Sequence, residues 1–111
     1  MEPKFRIELL DEAVEFLERL DTKARYKIYY NLRKAQLKND KSVFKKLTSD
    51  IWEFRTLYQK IQYRLFAFWD KTDNRETLVI GTHFITKKSR KTPKKEIEKA
   101  QKIRKEYFDK L

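Results

Sequence analysis

The 111-residue chain has no cysteine, one histidine and one glycine. Without cysteine there is no thiolate metal site, thiol nucleophile or disulfide, and the composition suits a reducing compartment. A single glycine leaves no glycine-rich phosphate loop. A single histidine gives no cluster with metal-ligand spacing and little basis for a nucleophilic triad. No stretch approaches the ~20 apolar residues of a membrane span. The start, Met-Glu-Pro-Lys-Phe-Arg, lacks the apolar run of a signal peptide. These absences predict a cytoplasmic protein with no membrane association, no cofactor and no metal.

Aromatic residues and positive charge are plentiful. With 40% apolar residues, including eight Phe, six Tyr and two Trp, the chain can bury one compact core despite a charged fraction of 41%. One domain over residues 1–111 is expected. Basic residues outnumber acidic ones 28 to 17, a net charge of +11, and residues 85–111 alone hold eleven basic against four acidic side chains. Charge gathered at one end points to a polyanion-binding surface more than to general solvation.

Periodicity supplies the layout. Lys4 to Leu9 alternates charged and apolar residues, the pattern of a strand with one face on a core. Asp11 is placed to cap a short helix carrying Val14, Leu17 and Leu20, and Asp21 to cap a second carrying Ala24, Ile28, Leu32 and Ala35. Strand-like runs follow at 51–58, 61–69 and 77–84, the last containing Gly81, with a turn at 71–74. After the polar run 87–92, Thr92 and Pro93 fit the start of a helix with Ile97, Ala100, Ile103 and Tyr107 on its stripe. The fold class expected is α+β: an antiparallel sheet of about four strands, an N-terminal helical hairpin on one face, and a C-terminal helix.

The chemistry centres on the second and third strands. A symmetric hairpin loop around Gln59 and Lys60 sets Arg55 directly opposite Arg64. Like charges face to face are unfavourable, so a bridging anion would give the pair a reason. The same face carries Glu53, Gln62 and Phe66, cations and an aromatic ring suited to phosphate and stacked bases. A plainer alternative pairs Arg55 with Glu53 and puts Phe66 and Phe68 in a minor core under the terminal helix. Lys87, Lys88, Arg90 and Lys91 lead into a helix N-terminus, where Lys94 and Lys95 add charge and amide groups favour phosphate. RNA is cut without a metal when its 2′-hydroxyl attacks the adjacent phosphate. Arg55 and Arg64 would stabilise charge, and Lys87, Lys88 or His83 would handle protons. A lone strand histidine is more often structural.

Trp52-Glu53-Phe54-Arg55, Tyr63-Arg64 and Lys87-Lys88-Ser89-Arg90-Lys91-Thr92-Pro93, in this order and spacing, resemble the HigB-like branch of the RelE/ParE toxin superfamily. The resemblance extends over nearly the whole chain. It implies a type II toxin that cleaves mRNA in the ribosomal decoding site and is neutralised by a helix-turn-helix, HigA-like antitoxin. Residue by residue, it assigns Arg55 and Arg64 to the arginines of the branch's motifs, Lys87 and Lys88 to its paired lysines, and His83 to a common histidine. Phe54 stands where leucine is usual, and Phe84-Ile85 where a Gly-Phe pair commonly precedes the lysines. Two other readings share the fold: a non-catalytic, ParE-like inhibitor of DNA gyrase, and a decayed toxin that only binds its antitoxin.

Overall fold

The computed structural model describes residues 2–38, 40–72, 77–87 and 91–111. Its elements in chain order are β1 (Arg6–Leu9), α1 (Asp11–Arg19), α2 (Thr22–Leu37), β2 (Phe44–Lys46), β3 (Trp52–Tyr58), β4 (Ile61–Asp70), β5 (Leu78–Lys87) and α3 (Lys94–Asp109). The strands form one sheet in the order β1-β5-β4-β3-β2.

Two features correct the expected four-stranded antiparallel sheet. β1 runs parallel to β5, pairing Leu9 with Gly81. Alternation of apolar and charged residues is the same in both pairing senses, so the sequence pattern carried no direction. The additional strand, β2, has three residues, too few to show a period, and pairs antiparallel with β3. β3 to β5 form the expected antiparallel meander.

α1 and α2 lie on one face. Ala13 and Leu17 from α1, with Ala24, Ile28, Leu32 and Ala35 from α2, join Phe54, Tyr63, Leu65, Ala67 and Val79 in the larger core. Asp21 caps α2 as expected, accepting a hydrogen bond from the Ala24 amide at 3.2 Å. At α1 the cap position belongs to Leu10, and Asp11 is instead the first helical residue, where its charge favours the positive end of the helix. α3 covers the opposite face, closing a second core of Ile51, Phe66, Phe68, Ile80 and Ala100. Burying each phenylalanine there contributes about 2–3 kcal/mol. The far end of α3 is fixed by Tyr107, whose hydroxyl donates to Asp70 at 2.5 Å. No helix among the described residues is long and apolar enough to cross a membrane.

Two local devices set the registers. Gln59 and Lys60 both take positive φ, 50° and 68°, giving the two-residue hairpin between β3 and β4 its right-handed strand twist without glycine. In β5, Thr82 and His83 together stand opposite Phe66, because Leu65 pairs with Phe84 while Ala67 pairs with Gly81.

Gly81 has a packing reason rather than a conformational one. A Cβ there would come within 2.7 Å of a Leu9 methyl and 3.1 Å of Leu65. Gly81→Ala is therefore expected to destabilise the fold by about 1–3 kcal/mol in urea unfolding, as overpacking does. An unchanged midpoint would show that the β1–β5–β4 row has room to spare.

Candidate functional site

Arg55 and Arg64 face each other across β3 and β4, as the hairpin register requires. The anion between them is the chain's own Glu53. Its carboxylate, with none of the side chain exposed, accepts from Arg55 Nε at 2.6 Å and from Arg64 Nη1 at 3.4 Å. The plainer of the two sequence readings of Arg55 is thus the one observed, and the same acid serves both arginines.

Arg64 is enclosed, with 1% of its side chain exposed. Besides Glu53, it donates through Nη1 to Thr92 Oγ1 at 2.7 Å and through Nη2 to Gln62 Oε1 at 2.5 Å. The Thr92 hydroxyl in turn donates a hydrogen bond to Glu53 Oε2 at 2.9 Å. An opposite charge and hydrogen bonds to both terminal nitrogens are what a buried guanidinium needs. This arrangement also replaces the expected cap. Pro93 occupies the N-cap of α3, and Thr92 instead anchors the segment entering α3 to the sheet.

Arg55 is the more accessible arginine, with 29% of its side chain exposed. Its backbone is held from behind by α2, where the Asn31 amide donates to the Arg55 carbonyl at 3.3 Å and to Thr56 Oγ1 at 3.2 Å. Asn31 was not singled out from sequence. A polar residue three positions after Ile28, inside an apolar stripe, was the available signal.

Lys87 ends β5 directly opposite Gln62, and cross-strand partners share a face, so it stands on the same side of the sheet as Arg64 and Arg55. It is half-buried, whereas Lys91, Lys94 and Lys95 are exposed around the start of α3. That N-terminus has no side-chain cap. Lys45 of β2 is exposed opposite Glu53 and extends the cationic face. Lys88 and Arg90 lie outside the described residues. Leu57, 62% exposed and two residues beyond Arg55 on the same face, was also not anticipated.

Phe66 and His83 come together, but away from this surface. Phe66 is fully covered by α3 and stacks on the His83 ring at 4.9 Å. As arranged here it is a core residue, so the expectation of an exposed stacking platform is corrected. His83 is 1% exposed, with Nδ1 against Thr82 Oγ1 at 2.8 Å and Nε2 against Glu96 Oε1 at 3.1 Å. It ties the first turn of α3 to the β5 bulge. Among the described residues no group of His, Asp and Glu gathers as a metal site.

The family model described as "Phage derived protein Gp49-like (DUF891)" matches residues 15–105. Among curated proteins, none matches the chain.

Burial, and then the charge of Lys99, holds the His83 pKa below its usual 6.5, with Glu96 and Glu12 pulling the other way. The neutral ring's contribution to stability is therefore complete above pH about 6.5 and is lost as pH falls towards the lowered folded-state pKa. Unfolding free energy should decline as pH falls below about 6.5, and His83→Gln should flatten that decline. An identical slope in the variant would assign the pH dependence to other groups.

Proposed function

The chain belongs to the phage-derived Gp49-like family, a toxin–antitoxin-associated family of RelE/HigB type, and we propose that it is a HigB-like toxin that cleaves ribosome-bound mRNA. The observation that carries this reading is the convergence of Arg55, Arg64 and Lys87, from three strands, on one face beside the lysines that open α3. A phosphodiester placed there meets positive charge from several directions, the arrangement that stabilises a pentacoordinate phosphate.

Within this reading Arg55 contacts the phosphate. Its Nε is committed to Glu53, which leaves the terminal nitrogens of the fork for the substrate. Arg64 is a positioning residue, acting through Glu53 and Thr92. Lys87 and Lys88 supply proton transfer as the 2′-hydroxyl attacks and the 5′-oxygen leaves. Arg90, Lys91, Lys94 and Lys95 hold the flanking backbone, where phosphate contacts set register without reading sequence. Neither His83 nor Phe66 is given a direct contact with RNA. The partner expected outside the ribosome is a HigA-like, helix-turn-helix antitoxin with an acidic segment that covers the cationic face.

A second reading, a non-catalytic inhibitor of the ParE kind, is favoured by one observation: both Arg64 and His83 are enclosed by the chain itself. RNA integrity separates the two. Primer extension on translated transcripts should show cleavage after induction of the wild type. Arg55→Ala and Lys87→Ala, with thermal unfolding within a few degrees of wild type, should each reduce cleavage by about 10²-fold or more. Growth arrest with intact mRNA would remove the nuclease reading and leave the inhibitor.

A further inference from the structure

The cationic face lies at the hairpin end of the sheet. At the other end, where β3 starts and β4 finishes, a cleft of about 330 Å³ opens between the β2–β3 connection and the last turns of α3. Its volume is in the range of small-ligand sites. Trp52, Trp69, Lys46, Lys71, Asp50 and Arg104 contribute to its walls. The two indoles are half-buried, with ring centres 6.2 Å apart and nearly perpendicular. The Trp69 indole nitrogen is buried, with no hydrogen-bond acceptor among the described residues. A donor shut off from water without a partner is costly.

We propose that this cleft is a second RNA subsite, which takes one unpaired nucleotide of a single strand whose backbone runs along α3. The indoles provide the π surface for the base. Lys46 and Arg104 provide charge for the phosphate, Arg104 already resting over the Phe108 ring at 5.1 Å. Asp50, 3.7 Å from Arg104, is the acid that the phosphate would displace. By strand parity the two indoles sit on the α1–α2 face of β3 and β4 and Arg64 on the α3 face, so the RNA strand would pass from one site to the other around the end of the sheet where Arg104 and Phe108 of α3 meet the indoles. β4 carries Arg64 at one site and Trp69 at the other, about 17 Å apart at ~3.4 Å per residue. α3 runs from the Thr92 anchor to Phe108, with Lys94, Lys95 and Lys102 exposed along it. Aromatic surface combined with lysine and arginine fits RNA better than an acidic peptide, which would use only the charges.

The choice of RNA as ligand rests on the proposed function; the site itself does not. Trp52 and Trp69 are the only tryptophans in the chain and both line this cleft, so intrinsic tryptophan emission responds to its occupancy. Titration of the full chain with a short oligouridylate should give a saturable change in emission. Lys46→Glu combined with Arg104→Gln should weaken that response at least about tenfold. The Arg55→Ala/Lys87→Ala double variant should retain the emission response while losing cleavage. Cleavage without any emission change would overturn the subsite and leave the nuclease standing, and an emission response without cleavage would do the reverse. A response that inorganic phosphate or polyglutamate reproduces, or that the Lys46/Arg104 variant leaves unchanged, overturns the subsite as well.

Discussion

A single buried carboxylate makes the rest of the arrangement possible. Two guanidinium groups directly opposed on neighbouring strands repel each other, and one of them, Arg64, is almost entirely removed from water. Glu53 lies between them and binds both, and Thr92 completes its coordination from the far side. The acid therefore fixes the Arg55 side chain at the surface, makes the burial of Arg64 tolerable, and secures the segment that leads into α3. Removing one member of such a cluster leaves the others buried and unbalanced, which costs more than the interaction contributes when complete.

The position of α3 follows from that anchor and from two others. His83, turned by the β5 bulge, meets Glu96 in the first turn; Tyr107 meets Asp70 near the last. Between them Ala100 packs with Phe66 and Phe68. A helix held at its entry, first turn and end by polar contacts, and along its length by aromatic rings, presents its lysines in a fixed line beside the arginines. Function in this account depends on that placement more than on any one lysine.

Much of this was legible in the sequence. Strand periods and the residue sums across Gln59-Lys60 gave the Arg55–Arg64 pairing, and helical stripes gave the face on which α1 and α2 pack. β1's parallel partner was not legible, because alternation has no direction, and β2 was too short to show a pattern. The site was half readable. Which cations share a face follows from strand parity, but burial does not. Phe66 could be read either as a stacking surface or as part of a minor core under the terminal helix, and parity does not choose between them; Thr92 looked like a cap because Thr-Pro before a helix usually is one. Its actual contacts, Glu53 and Arg64, lie 39 and 28 residues away.

Glu53 and Arg64 act as one energetic unit. A double-mutant cycle in urea, with Glu53→Gln, Arg64→Met and the pair combined, measures this directly. The expected coupling is about 2 kcal/mol or more, with each single variant losing roughly 3–5 kcal/mol and the double variant recovering part of the loss. Additive losses, with coupling below about 0.5 kcal/mol, would mean that the carboxylate and the guanidinium are neighbours without being partners.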